Sequence, residues 1–565
     1  MTAMEPRRDR TPEPAGSPLR RWAPIAAVMA VLVVVTGVAL TRAGGGGGED
    51  GGPTSSTKPI KLPAGVVTWS MAKEKGLDVT FPKTCDTKSG MLAIPFIFRT
   101  ECFANVKDNG GATAKGVTGD TIKVVAWLPA EDDPVRALLL KRIGFDATNA
   151  ELRETYQGFV DIFARYYQTY GRKVSLDFIE ASGSILDPTA ARSDAIRAAE
   201  DMGAFAVLGG PVIGSAWTDE LHARGIVCIA CPGISKPEPT VFSLPPTSSQ
   251  VRAHIVQYVS KKLAKGKAEH AGEGSNGKKR VFGHLALGLS ESDETGADRL
   301  KDDLAEKGVE LAEQILYPLD PGRAAELATN AVTKMQSAGV TTVLVQADPI
   351  LLPAFTKEAT KQEWYPEWVL GGAPFSDTTA FARTFDRAQW EHAFGISYFP
   401  PQATPDINPP VRLYEWFHGE RPPVAATLPL LLLYPQVVLF FTGLEYAGPN
   451  LSAETFRNGL FVTPPTARAT TQPSVSFGKQ RSTDPDYAGI DDLVELWWDP
   501  DVKGLDEAGE QGEGMYRYAN GAKRYLVDEW DGVERVFEVK GSITIIKTLP
   551  EGERPTNYPS PAKGG

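Results

Sequence analysis

The residues best placed for chemistry gather at one turn, Gly209-Gly210-Pro211-Val212-Ile213-Gly214-Ser215. A glycine-rich turn that opens a helix offers free backbone N–H groups and the positive end of the helix dipole, which suit an anion or another polar group. Gly214 and Ser215, at the helix start, are the first candidates to touch a ligand. The Gly209-x4-Gly214 spacing is that of a phosphate loop, but such a loop needs Lys at the next position, where Ser215 stands, so no nucleotide site is expected. No G-x-S-x-G or H-E-x-x-H set occurs, nor S-x-x-K with its partners; no catalytic residue is assigned and no enzyme is expected. The six histidines (His222, His254, His270, His284, His392 and His418) are scattered without ligand spacing and read as surface or helix positions.

Cys228 and Cys231 in IVCIACPG form a lone C-x-x-C with no second pair at zinc-ligand spacing. They are expected to be two small buried residues at a strand end, ahead of a vicinal or redox disulfide or a metal site. Cys85 and Cys102 flank the irregular DTKSGMLAIPFIFRTE and read as a disulfide staple, worth about 3 kcal/mol in the loop-entropy model. Between Asp499 and Glu510 suitable residues fall at calcium-loop positions around Gly504, but Lys503 stands where an oxygen ligand belongs. A solvated acidic turn is expected there, with no metal and no cofactor.

The elements that position these residues alternate strand-length and helix-length apolar runs from Thr121 onward: TIKVVAWL, a helix from about Asn149 to Tyr170, KVSLDFIEA, a helix begun by Asp187-Pro188, AFAVLGG, a helix, and IVCIACP. Such alternation marks βαβ units and a parallel sheet. Asn149 is the expected cap of the first long helix and Gly171 its stop. After Pro245-Pro246 a second series of the same kind begins: a helix from Thr247 to Lys267, then the strands RVFGHLAL, ELAEQILYPL, TTVLVQA and EWVLGG with helices between. The fold expected is α/β, two doubly wound, Rossmann-like parallel-sheet lobes meeting at a cleft lined by the carboxyl ends of strands. LPLLLLYPQVVLFFTG (428–443), interrupted by Pro429 and Pro435, is read as a buried helix of the second series rather than a membrane span.

The 565-residue chain has 42% hydrophobic and 23% charged residues, ordinary for globular domains. A net charge of −11 without Lys/Arg stripes argues against a nucleic-acid partner. Trp22 to Leu40 carries no charge and follows Arg7, Arg8, Arg10, Arg20 and Arg21, as a single span with its amino terminus inside would. An uncleaved anchor is the reading taken and a cleaved signal the alternative; either puts the body outside the cytoplasm. The divisions expected are a cytoplasmic tail (1–21), the anchor or signal (22–40), a Gly/Ser/Thr/Pro linker (41–61), a disulfide-stapled cap (62–118), lobe I (119–246), lobe II (247–372), elements shared between the lobes (373–465), an aromatic-rich carboxyl extension (466–548) and a disordered tail (549–565).

The order of GVTGDTIKV, the DP-x-x-A helix start at Asp187 to Ala191, AVLGGPVIGSAW, IACPGIS, VFGHLALGLSESDETGADRLKDDLAEKG and GLEYAGPNLSAETFRNGLF resembles the type I periplasmic-binding-protein family, in its branched-chain amino-acid-binding branch that serves ABC importers. The likeness runs from about Gly116 to Phe461 and implies two lobes joined by a three-strand hinge that close on a small solute. It implies further that Gly214 and Ser215 hold a polar group of the ligand and that Cys231, Gly233 and Ser235 lie beside them. Leu289 and Asp348, on loops of the facing lobe, then close over it. The turns carry fewer hydroxyls than the amino-acid binders of that family, which leaves a less polar or bulkier solute open. The expected function is extracytoplasmic capture of an amino acid or other small organic solute for an ABC permease, with the membrane engaged through the amino-terminal helix. The alternative is a ligand-sensing or docking ectodomain of the cell envelope.

Overall fold

Apolar runs with both faces covered build two sheets. The structure, a computed structural model, describes residues 62–133, 136, 146–185, 187–211, 215–231, 238–288, 291–372, 375–481 and 484–563; the expected tail, anchor and linker lie outside them. In the cap, helix α1 (Trp69–Lys75) precedes a small antiparallel ladder of β1 (Cys85–Asp86) and β2 (Met91–Leu92), which the Cys85–Cys102 disulfide ties down. Lobe I then forms around β3 (Thr121–Leu128), β4 (Lys173–Glu180), β5 (Ala206–Leu208), β6 (Val227–Ile229) and β7 (Val241–Phe242), parallel in the order β4-β3-β5-β6-β7. The second sheet takes β8 (Phe282–Leu287), β9 (Leu311–Tyr317), β10 (Thr342–Gln346), β11 (Glu367–Gly371) and β12 (Ala393–Ser397) in parallel. A short β13 (Gln402–Ala403) follows. The carboxyl segment completes this sheet with antiparallel β14 (Leu493–Leu505) and β15 (Gln511–Tyr518), with β16 (Arg524–Tyr525) on β14; β17 (Ile545–Ile546) pairs with β13.

Helix ends follow local chemistry, not always at the expected residue. In α2 (Asn149–Tyr166) the cap is Thr148 and not Asn149: Thr148 Oγ1 accepts from Glu151 N at 3.2 Å while Glu151 Oε2 accepts from Thr148 N at 2.7 Å. The Asn149 side chain is engaged elsewhere, donating to Pro129 O and accepting from Arg136. The helix also stops before Gly171, at an extended Tyr167. In α3 (Pro188–Ile196), Asp187 accepts from Thr189 N and Ala190 N, as its D-P start implies. Helix α4 (Ala216–Ala223) precedes β6. In lobe II, α5 (Ser248–Tyr258), capped by Thr247, continues through a π turn only to Leu263. After α6 (Glu291–Glu306) and α7 (Ala324–Ser337) comes α8 (Leu352–Lys361), followed by the short α9 (Thr379–Ala382) and α10 (Arg387–Trp390). The helix α11 (Pro409–His418) returns to lobe I. The apolar run 428–443 lies in α12 (Thr427–Ala447), which is buried as expected but in the other lobe: it packs on α2, β6 and α13 (Ala453–Val462). A helix of this length and hydropathy could cross a membrane, yet 67% of its apolar window is covered by protein.

The chain passes between lobes at residues 243–247, 398–408 and 463–492. The first and third passages pair, Ser243 N donating to Tyr487 O at 2.8 Å and Gly489 N to Ser243 O at 3.0 Å. Beside them Asp486 Oδ2 accepts from Gln250 Nε2 at 2.7 Å and Asp491 Oδ1 from Ser476 Oγ at 2.9 Å. Burial pushes the Asp491 carboxyl up to about 7, against the pull of Ser476 and Arg481, and Asp486 up to about 6.

The carboxyl extension is locked to lobe II by charge. Lys262 Nζ, inside the protein, lies 2.9 Å from both carboxylate oxygens of Glu495 and donates to Val533 O at 2.8 Å. The rings of Tyr258, Tyr525 and Trp530 surround it at 5.6, 5.8 and 5.7 Å. Burial pushes the Glu495 carboxyl up and the Lys262 charge opposes it. Breaking such a pair strands a buried charge. Lys262→Met should therefore cost about 3–5 kcal/mol in urea unfolding, and Lys262→Met with Glu495→Met should recover most of that loss. At the hinge, a carboxyl whose folded pKa exceeds its unfolded value of about 3.9 binds its proton more tightly when folded. It adds stability at low pH that is lost as pH rises through 7. The urea midpoint of the protein relative to Asp491→Asn should thus rise as pH falls from about 8 to 5, whereas a difference constant with pH would give Asp491 an ordinary pKa.

Candidate solute-binding cleft

All three passages leave or enter at the carboxyl ends of the parallel strands. β7 runs into the first, and β12 ends at Ser397 where the second begins. The third delivers β14, whose Val494 pairs with Ser397. The carboxyl ends of the two sheets therefore face one another across the hinge, and the strand-end turns form the walls between the lobes.

Of the residues expected there, Gly214, Gly233, Ser235 and Leu289 lie outside the described residues. Ser215 opens α4, but its Oγ donates to Asp219 Oδ2 at 2.6 Å. The first turn of that helix thus already carries a carboxylate, which meets the dipole that was expected to attract an anion. Cys231 is fully buried and joined to Cys228, so the expectation of two separate residues is corrected. The reason is Ala230, whose φ of 54° reverses the strand's alternation and brings side chains three apart to one side. Asp348 is buried and already held within lobe II: its carboxylate accepts from Tyr317 OH at 2.6 Å and from Ile350 N and Leu351 N at 2.9 Å, closing the turn that precedes α8. Burial raises its pKa and those bonds oppose the rise.

The first two glycines of the turn read from the sequence pack within lobe I, while the lobe II wall residues were not singled out from the sequence. Gly209, at φ 70°, accepts at its carbonyl from Trp217 Nε1 at 3.2 Å, and a side chain on Gly210 would meet that indole nitrogen at 2.5 Å. Beside them Tyr156 OH donates to Gln436 Oε1 at 3.0 Å inside the lobe. At the carboxyl ends of β3 and β4 a concavity of about 530 Å³ is lined by Ala130, Glu131, Asp132, Arg153, Glu180 and Ala181. Its charges are largely paired, Arg153 with Glu180 at 2.7 Å and Glu131 with Asn149 N at 2.8 Å. On lobe II, Phe375, Ser376 and Asp377 follow β11, and Tyr398 and Phe399 follow β12. Among the described residues no three His, Cys, Asp or Glu are placed to hold a metal. Residues 499–505 are strand, and only 506–510 form an acidic turn, in which Asp506 Oδ1 accepts from Ala508 N and Glu510 N; it is not the solvated turn expected, because Asp506 and Glu507 are buried.

The family profile of periplasmic binding proteins matches residues 157–480. The chain belongs to that family. Its structure is similar to the leucine-, isoleucine-, valine-, threonine- and alanine-binding protein of Brucella ovis in its closed conformation, at 13% identity and a TM-score of 0.50, covering 76% of this chain and 100% of that one. It also matches a fatty-acid ABC transporter substrate-binding protein of Thermomonospora curvata at 15% identity and a TM-score of 0.47, over 75% of this chain and 98% of that one. A third match is a solute-binding protein of an ABC transporter from Rhodopseudomonas palustris BisB5, bound to 3,4-dihydroxybenzoic acid, at 14% identity and a TM-score of 0.47, covering 74% and 99%. Among curated proteins none matches this chain in sequence. The type I periplasmic-binding-protein fold expected from the sequence is the fold of this protein, and its body is an extracytoplasmic solute-binding domain.

The turn after β5 gives a direct check. In Gly210→Ala the new Cβ must displace Trp217 and break its bond to Gly209, an overpacking cost of about 1–3 kcal/mol in chemical denaturation. Combined with Trp217→Leu, the same substitution should cost clearly less than the sum of the two single changes.

Proposed function

We propose that the protein captures a small organic solute between its lobes, without catalysis, and presents it to an ABC permease while the segment from Trp22 to Leu40 holds it at the membrane. The observation that carries this reading is the pair of sheets set with their carboxyl ends facing across three passages, the arrangement in which a solute joins two lobes that hinge closed. In this reading residues 119–246 and 247–372 are the two jaws, the shared elements 373–465 complete them, and the extension 466–548 braces lobe II. The uncharged apolar run after an arginine-rich start supports an anchor, and the linker from Gly44 to Lys61 would give the body a reach of about 20–25 Å.

The chemistry of the described walls supports a solute less polar than an α-amino acid. Pro211 and Cys231 are apolar and buried, Ala230, Phe375 and Phe399 are half-buried, and the Ser215 hydroxyl is already bonded to Asp219. A thermal-shift screen of the full-length protein against amino acids, small carboxylates, sugars, short peptides and aromatic compounds tests the proposal. A solute at a hundred times its dissociation constant should stabilise the protein by about 2.7 kcal/mol, and Ser215→Trp should abolish that shift. Silence across the panel from a well-folded sample would favour a docking or sensory ectodomain.

A further inference from the structure

Three side chains at the cleft end of lobe II are left unexplained by packing alone. β11 ends at Gly371, and four residues later Phe375 adopts φ 66°, a left-handed conformation that is unfavourable for a bulky residue and persists where its surroundings impose it. That conformation brings its ring to 6.1 Å from Phe399, two residues beyond the end of β12, with the ring planes 38° apart. Phe381, fully inside, backs Phe375 at 6.3 Å. The segment is fixed, since Ser376 Oγ donates to Ala347 O at 2.8 Å and Ser376 O accepts from Tyr516 OH at 2.7 Å. Phe375 and Phe399 nevertheless stay half-buried, two rings at neighbouring strand ends that the core does not cover completely.

Two residues beyond Phe375, Asp377 is 1% exposed. Its Oδ2 accepts from Ser397 Oγ at 2.5 Å, while Oδ1 has no hydrogen-bond partner. Burial pushes its carboxyl up to about 7 against the pull of the Ser397 bond, and Glu507, another buried carboxyl group that is itself satisfied by Thr379 N and Ala380 N, adds to the rise. Tyr398, Tyr516 and Tyr518 complete the surroundings, with the Tyr516 and Tyr398 hydroxyls no source of positive charge. Ser397 ties this group together, since its Oγ also accepts from Phe399 N at 3.0 Å, and an unpaired buried acceptor in one group with two half-buried rings is the complement of a flat apolar body carrying one hydrogen-bond donor.

We propose that Phe375, Phe399 and Asp377 are the specificity-determining group of lobe II, selecting a solute with an aromatic body and a hydroxyl or ammonium donor. This rests on the cleft reading above and deepens it. The rings select by stacking, which tolerates substituents on the ring edge. Asp377 selects by gain, because Oδ1 is already buried and unpaired before a solute arrives and only a solute with a donor satisfies it.

Isothermal titration calorimetry on the full-length protein in detergent tests this with four probes: tyramine (ring and ammonium), tyrosol (ring and hydroxyls), toluene (ring without a donor) and leucine (no ring). Tyramine or tyrosol should bind at least about tenfold more tightly than toluene or leucine, the choice between the first two identifying the donor. Phe399→Leu, which keeps apolar bulk but loses the flat face, should weaken the preferred probe about three- to tenfold. Asp377→Asn, nearly isosteric, should weaken it about tenfold or more and leave toluene unchanged; if that variant does not fold, Phe399→Leu and the probe ranking still decide. Solutes that bind equally to all three proteins, or a ranking led by leucine, would overturn the assignment of this group and leave solute capture standing. No binding of these probes or of the wider panel would overturn both.

Discussion

The buried pair of Lys262 and Glu495 joins the two points from which the hinge hangs. Lys262 follows the first passage between lobes by one helix, and Glu495 follows the third by three residues. A second buried pair does the same for the remaining passage: Arg524 Nε donates to Asp492 Oδ1 at 2.8 Å, and its Nη2 donates to Asp492 O at 2.7 Å and to Tyr398 O at 2.9 Å. The start of the second passage and the end of the third are thereby clamped together. Buried ion pairs contribute little net stability against apolar replacements, but their geometry is specific. Lobe II thus presents its ends of the three passages in one clamped arrangement.

On the other side, lobe I is held by buried polar groups that reach the amino-terminal cap. Glu445, inside α12, accepts from Gln168 N at 2.7 Å and from Thr100 Oγ1 at 3.3 Å, and burial pushes its carboxyl well above the usual range. Arg172 donates to Thr118 O at 2.8 Å, Gly111 O at 3.1 Å and Pro449 O at 2.9 Å. Cap, sheet and α12 therefore share one interior. This explains how a run as apolar as 428–443 belongs to a water-facing domain: its apolar side chains cover α2, and its polar groups, Gln436 and Glu445, find partners inside the lobe.

The alternation of strand-length and helix-length runs was enough to read the parallel sheets and their meeting at strand ends, because strands covered on both faces are written as near-continuous apolar segments. What could not be read depends on contacts between distant residues. Thr148 rather than Asn149 caps α2 because Pro129 and Arg136 claim the Asn149 amide. The assignment of α12 to lobe I follows from partners on α2 and α13, not from its own composition. The union of Cys228 with Cys231 hangs on one left-handed residue, Ala230, that no local preference announces. Asp348 was expected to close over the solute from a strand-end loop, and only the fold brings Tyr317 to it. Asp377 gave no signal, because what sets it apart is an unfilled hydrogen bond beside Ser397, twenty residues away.

These anchors decide what a solute must do to close the lobes. Moving a two-state equilibrium from 1:99 to 99:1 takes about 5.5 kcal/mol of differential affinity for the closed form. An aromatic body buries about 150–250 Å² when both sides are covered, worth about 4–6 kcal/mol at 25 cal/mol per Å². A ring already resting on one lobe has only its other side left for closure to cover, which supplies about 2–3 kcal/mol, roughly half of the requirement. Polar groups add less, because each gives up water to gain its partner. In the reading proposed above, with few free hydroxyls on the described walls, apolar area supplies a large part of closure and the polar contacts choose which solute brings it.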